Sequence, residues 1–284
     1  MAQLYPALLT VTDHTSQLDL AGMKQYVEWH ERQDIADGYF VLGSTGEGPA
    51  LPWTAQRDVL LLLKAVVHRP LIVMATAERC SETFLEKLSW LHDQGFHAIA
   101  LAPPLYYAYP PESQAQVIRE VANQWPGDVW LYNIPSRVGY ALSYDTVADI
   151  VKQCPNVVGI KDSSGQAGNI AVWRELLPSG QIFCGAEQVG VASLLSGADG
   201  IVSQYASVVP ELVHGLLTGT VTERLHLQAS LNRLIQRADQ VPLLSLLSEL
   251  GFRRGMLPRR IKPPWPALDP RGQRVADDWL ALRA

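Results

Sequence analysis

The sequence predicts an α/β fold, a closed (β/α)8 TIM barrel with a C-terminal helical extension. Three observations predict it. Short, apolar, β-rich runs recur along residues 1–210. Amphipathic stretches with helical spacing separate them. The first run is followed by Thr10-Val11-Thr12-Asp13, whereas an open doubly wound sheet usually places a glycine-rich phosphate loop there.

The strands are expected at residues 7–11, 39–42, 71–75, 98–102, 129–133, 157–160, 182–184 and 200–203. Most are near-continuous apolar runs, the pattern of strands covered on both faces in a parallel sheet. Residues 55–68 carry Val59, Leu60, Leu63, Val66 and Val67 at helical spacing. Residues 82–94 carry Phe84, Leu85, Leu88 and Leu91 in the same way. Residues 145–153 carry Val147, Ile150 and Val151 behind Ser143, which suits an N-cap. After Pro210 the pattern is helical, at 212–217, 222–238, 243–250 and 277–282. That is more than one closing helix needs. Residues 1–210 are therefore expected to form the barrel, and residues 211–284 a helical region packed on it, with no Gly/Ser-rich linker between.

Composition narrows the function. The chain of 284 residues is 48% hydrophobic and 18% charged, with a net charge of −5 spread without long runs. That disfavours nucleic acid and anionic membrane as partners. The basic residues Arg253-Arg254 and Arg259-Arg260-Ile261-Lys262 read as a solvated turn or a salt-bridging surface. Three cysteines with no CxxC cannot all pair, which fits a reducing, cytoplasmic setting. No signal peptide or membrane span is expected. The seven histidines show no metal-ligand spacing, so no metal is expected.

The chemistry centres on Lys161, which ends the apolar run Val157-Val158-Gly159-Ile160. An ammonium is costly to desolvate, and a neutral amine attacks carbonyls. In a barrel, strand C-termini converge on one face. Lys161 ends the sixth strand, Tyr132-Asn133 the fifth, and Gly43-Ser44-Thr45-Gly46 follows the second. Lysine, a phenolic proton carrier and a hydroxyl-rich turn suit Schiff-base chemistry on a 2-oxo acid. Ser44-Thr45 would equally suit an ordinary βα turn, Arg137 a surface ion pair, and Tyr106 and Tyr107 simple interface packing. Glu47 reads as a residue that orders its loop, and Trp53 and Trp130 as core or wall.

The chain resembles the dihydrodipicolinate synthase / N-acetylneuraminate lyase family of class I aldolases along nearly its whole length. The resemblance rests on six segments in order: Gly43-Ser44-Thr45-Gly46-Glu47, Pro104-Leu105-Tyr106-Tyr107, Tyr132-Asn133-Ile134-Pro135, Gly159-Ile160-Lys161-Asp162, Gly197-Ala198-Asp199-Gly200-Ile201-Val202-Ser203 and Ile261-Lys262-Pro263-Pro264. It implies that Lys161 forms an imine with pyruvate and that Tyr132 relays protons. Ser44 would link Tyr132 to Tyr107, the latter reaching in from a neighbouring subunit of a dimer or tetramer. Thr45, Gly46, Arg137 and Val202 would bind substrate, with Ser44 and Thr45 on the carboxylate. No cofactor is implied beyond the covalent lysine imine, and the partners are pyruvate and an aldehyde.

Arg137 matches the synthase branch, whose arginine holds an acidic aldehyde, aspartate semialdehyde. Ser44 and Lys161-Asp162-Ser163-Ser164-Gly165 lean toward lyase and 2-oxo-3-deoxy-sugar-acid branches. Arg79 and Pro52-Trp53 replace residues of the lysine-inhibited synthases, so lysine feedback is not expected. A non-catalytic 2-oxo-acid sensor is the alternative of another class. A P-loop reading fails because 43–48 lacks the Gly-Lys-Ser/Thr ending.

Overall fold

The structure is a computed structural model, and it describes residues 1–76, 82–104, 107, 109–258 and 264–282. The chain runs β1 (Gln3–Pro6), α1 (Leu20–Gln33), β2 (Tyr39–Val41), α2 (Trp53–Val66), β3 (Leu71–Thr76), α3 (Glu82–Asp93), β4 (Ala98–Ala102) and α4 (Pro111–Gln124). It continues with β5 (Asp128–Asn133), α5 (Pro135–Val138), α6 (Tyr144–Gln153), β6 (Val157–Asp162), α7 (Gly168–Leu176), β7 (Gln181–Cys184), α8 (Gly190–Leu195) and β8 (Gly200–Ser203). It ends with α9 (Pro210–His214), α10 (Val221–Ala238), α11 (Leu243–Arg253) and α12 (Pro270–Ala281). The strands form one eight-stranded sheet in the order β1-β8-β7-β6-β5-β4-β3-β2. The pairs from β3 through β8 are parallel. A parallel bridge between Ala7, just past β1, and Phe40 of β2 joins the two end strands. The fold is a (β/α)8 barrel followed by C-terminal helices.

Contacts divide the chain into two compact units, Met1–Gln3 with Leu71–Val202, and Leu4–Pro70 with Ser203–Ala284. In the first, Ile99, Leu101, Val129, Leu131, Ile160 and Ile182 are buried along adjacent strands. Their apolar run is what a strand sandwiched between side-chain layers needs. Trp130 stacks on Phe183 with ring centroids 4.9 Å apart. Ser143 caps α6 as its position suggests, its hydroxyl accepting from Thr146 N at 3.1 Å.

In the second unit, the N-terminal strand is fixed at several points. Leu4 N donates to Asp37 Oδ2 at 2.8 Å, and Ala7 N donates to Ser203 O at 2.8 Å. From α1, Tyr26 Oη donates to Ser207 O at 2.8 Å, and His30 Nε2 lies 3.0 Å from the same oxygen. Full burial lowers the His30 pKa to about 4, so the ring is neutral at pH 7. A neutral ring whose Nε2 carries the proton satisfies that carbonyl. Helix α10 starts in a capping box formed by Thr220 and Glu223. Tyr205 stacks on Trp279 of α12 at 4.4 Å.

Several expectations shift. The apolar run 7–11 is buried, but the strand itself is β1 at Gln3–Pro6, and within that run Ala7 alone forms a bridge. Burial and ladder pairing part company there, because Leu9 N turns to the Tyr26 hydroxyl at 3.4 Å. The last helix begins at Pro270, well before residue 277, and Asp269 caps it by accepting from Gly272 N at 2.7 Å. The basic pair 253–254 splits. Arg253 is the expected salt-bridging residue, on Glu249 and Asp277. The Arg254 side chain is instead buried, lying over the Trp29 ring at 5.1 Å and pairing with Glu211 at 3.0 Å. Arg79, Tyr106 and residues 259–263 lie outside the described residues. Among the described residues, no helix is long and apolar enough to cross a membrane.

Candidate active site

Strands β5 and β6 run side by side with Tyr132 opposite Lys161 and Asn133 opposite Asp162. Side chains alternate along a strand, so the first pair shares one face and the second pair the other. Lys161 Nζ donates to Tyr132 Oη at 3.0 Å and lies 4.2 Å from the ring centroid. The lysine is 5% exposed and the tyrosine 2%. Sequence reasoning named both, and the structure brings them together. A buried amine touching a hydroxyl has a group beside it that can accept or donate a proton.

Gly185, one residue past β7, completes this wall. A β-carbon there would lie 2.9 Å from Lys161 Cε and 2.1 Å from Ser163 Oγ. Hydrogen in place of a side chain leaves the space that the lysine's alkyl chain fills. Sequence reasoning passed over Gly185, although Cys184-Gly185 ends the seventh strand as Lys161 ends the sixth. Cys184 itself is no nucleophile. Burial pushes its thiol up to about 11, which keeps it protonated at neutral pH.

The opposite face carries a polar cluster around Asp162, which is also buried. Trp173 Nε1 donates to Asp162 Oδ2 at 2.6 Å, Asn133 Nδ2 at 3.0 Å and Asn169 Nδ2 at 3.3 Å. Ser164 N donates to Oδ1 at 2.7 Å. The motif reading treated Asp162 only as a branch marker. Its partners on β5 and α7 become visible only once the strands are in register.

The remaining expected residues of this unit are placed as follows. Arg137 stands exposed on α5, the short helix that Pro135 starts immediately after β5. Val202 is buried on β8. Tyr107 is 62% exposed, and its ring meets Tyr109 edge to face at 6.2 Å.

Ser44, Thr45 and Gly46 belong to the other compact unit, in the turn after β2. Thr45 is buried and Ser44 half-buried. The turn is tightly built. Leu42 (φ 57°) and Glu47 (φ 53°) both adopt the left-handed conformation, which costs about 1–3 kcal/mol at a non-glycine residue. Thr10 Oγ1 donates to Gly46 O at 2.6 Å, and Gly48 N donates to Gly43 O at 3.2 Å. Glu47 orders the loop, as expected of it: its carboxylate accepts from Trp265 Nε1 at 2.8 Å. Beside this turn a small pocket of about 60 Å³ is lined by residues that include Thr10, Thr12, Glu47, Ser245, Ser248 and Trp265.

The fold is a barrel, and a buried lysine–tyrosine pair lies at the ends of two of its strands. Residues 1–276 match the Dihydrodipicolinate synthetase family, and the chain belongs to that family. Among curated relatives, it is 26% identical over 275 residues to 4-hydroxy-tetrahydrodipicolinate synthase of Coxiella burnetii, covering 93% of this chain and 92% of that one. It is 28% identical over 257 residues to N-acetylneuraminate lyase of Citrobacter koseri, covering 88% and 83%. Among solved structures, it superposes with a TM-score of 0.89 on YagE, a prophage protein of the dihydrodipicolinic acid synthase family from E. coli solved in complex with pyruvate. The two are 21% identical, with 100% of this chain and 99% of that one covered. The protein is an enzyme of this aldolase and lyase family.

Proposed function

We propose that the protein is a pyruvate-dependent class I lyase that works through an imine on Lys161. The observation that carries this reading is the buried contact of 3.0 Å between Lys161 Nζ and Tyr132 Oη. The amine adds to the ketone carbon of the 2-oxo acid and forms a C–N bond. The carbinolamine hydroxyl then takes a proton and leaves as water, giving the imine. Loss of a C3 proton gives the enamine, whose C3 attacks an aldehyde; hydrolysis frees the product and the lysine. Cleavage is the same path reversed. Tyr132 carries the protons, because its hydroxyl touches the nitrogen on which the bonds form and break. Relatives named as a synthase and a lyase, and a neighbour solved with pyruvate, support the same reading.

The aldehyde is an acidic one of the aspartate semialdehyde type. An exposed arginine one short helix from Tyr132 supports this, since its planar fork binds carboxylates in two places. The run Asp162-Ser163-Ser164 favours a second reading, a 2-oxo-3-deoxy-sugar-acid aldolase. The roles of Ser44, Thr45 and Gly46 on the carboxylate, of Val202 at the substrate, and of Tyr107 across a subunit boundary rest on motif resemblance alone.

Borohydride trapping with pyruvate, followed by peptide mapping, tests the chemistry. One reduced adduct on Lys161 is expected, and none in Lys161→Ala at an unchanged melting temperature. An adduct on another lysine, or none in the folded protein, sinks the reading. Turnover with aspartate semialdehyde against a panel of 2-oxo-3-deoxy acids then separates the two acceptors.

A further inference from the structure

Building on the imine reading of Lys161, we infer that Asp162 is a positioning residue for the reaction. Its carboxylate locks the ends of β5 and β6 in the register that sets Lys161 Nζ on Tyr132 Oη. A buried carboxylate is costly unless its oxygens are fully hydrogen-bonded. Here one oxygen accepts three N–H donors, from Trp173, Asn133 and Asn169, and the other accepts Ser164 N. These donors come from β5, from the turn after β6, and from α7. A group that gathers so many directional partners fixes position more than it adds stability, since an apolar residue of the same volume often stabilises as well.

The cluster reaches the catalytic pair through adjacency. Asn133 follows Tyr132, and Asp162 follows Lys161, so the bond of 3.0 Å between Asn133 and Asp162 on one face fixes the lysine–tyrosine spacing on the other. Backbone bonds spread the constraint. Ser163 N donates to Asn133 O at 2.8 Å, and Gly185 N donates to Asp162 O at 2.7 Å, which brings in the residue that packs on the lysine chain. Leu142 N donates to Asn133 Oδ1 at 3.1 Å, and Tyr144 Oη to Asn169 Oδ1 at 2.7 Å, so neither amide can turn without losing a bond. Asp162 faces away from the amine. It acts by placing the lysine and stays out of the chemical steps.

Two variants test this. Asp162→Asn keeps the shape but turns an N–H group toward N–H donors. Trp173→Phe removes one donor and leaves the carboxylate, and it decides the matter if Asp162→Asn does not fold. The readouts are the rate of borohydride-trapped pyruvyl adduct at saturating pyruvate, the half-saturating pyruvate concentration, and the melting temperature. In Asp162→Asn, trapping is expected to slow by roughly 10–100-fold, the scale of a catalytic group displaced by about 1 Å. Trp173→Phe is expected to slow less, and half-saturation should hardly move in either. A residue that merely stabilises the fold would lower the melting temperature and leave trapping in the folded protein unchanged, and that result overturns the inference. If the unsubstituted protein forms no adduct, the imine reading is what fails. Crystal structures of the variants then decide the inference: a Lys161–Tyr132 separation still at 3.0 Å overturns it, and one opened beyond hydrogen-bond reach upholds it.

Discussion

In the proposed reaction one atom each of Lys161 and Tyr132 does the work, so the sharpest expectations are single-atom changes. Tyr132→Phe removes only the hydroxyl that receives the lysine's hydrogen bond. Turnover should fall by roughly 10²–10⁴-fold, the usual worth of an acid–base group, with a melting temperature close to the parent's. Steady-state kinetics beside a thermal melt checks this, and a variant with near-parental turnover removes Tyr132 from the relay. Gly185→Ala is the complementary change, since it adds one carbon 2.9 Å from Lys161 Cε. The lysine chain must move aside, so kcat should drop more than pyruvate affinity; unchanged kcat would mean that the wall yields. At this scale the sequence was legible where a residue's type declares its chemistry, as for the lysine and tyrosine that the structure brings together. It was illegible for Gly185 and Asp162. Gly185 matters through what it lacks, and Asp162 through donors on a neighbouring strand and on the helix that follows.

Among the elements, the turn after β2 is tightly built. Its conformation depends on Gly48, where a β-carbon would sit 1.9 Å from Leu42 O, against backbone and not a flexible side chain. Gly48→Ala should therefore destabilise by about 1–3 kcal/mol, the usual cost of forcing extra volume into a packed site. Denaturant unfolding measures this, and a midpoint equal to the parent's would show that the turn relaxes freely. Strand positions were readable because β4 to β8 are largely buried and carry near-continuous apolar runs, the polar residues falling mainly at their ends. The start of β1 was not, because Leu9–Val11 is buried like a strand while Leu9 N bonds to the Tyr26 hydroxyl and not to a neighbouring strand. Helix α12 was recognised only by its last turn, since its signal lies in the Asp269-Pro270 cap more than in apolar spacing. Arg254 was read as a surface charge, because nothing in a basic dipeptide shows that one member lies over Trp29.

For the whole molecule, one buried ring links stability to pH. The His30 pKa in the folded protein is about 4, below the ordinary value of 6.5. The unfolded chain therefore binds the extra proton first as the pH falls. The stabilisation is complete above about pH 6.5, declines between there and about pH 4, and is gone below that. It amounts to about 3 kcal/mol, because each tenfold difference in proton affinity between the two states is worth about 1.4 kcal/mol. His30→Gln keeps an N–H for Ser207 O but cannot titrate. The parent should lose more unfolding free energy than this variant across that window, and parallel curves would remove His30 as the cause. The same unit also bears on how the protein is made. Leu4–Pro70 leaves the ribosome first, yet the acceptor for Ala7 N is Ser203 O, and those for Tyr26 and His30 are Ser207 O, all far downstream. The middle of the chain needs no such wait. A nascent chain long enough to free Val202 already contains β5, β6 and β7, so the strands that bring Lys161 to Tyr132 can assemble while the N-terminal segment is still waiting for its partners to be translated.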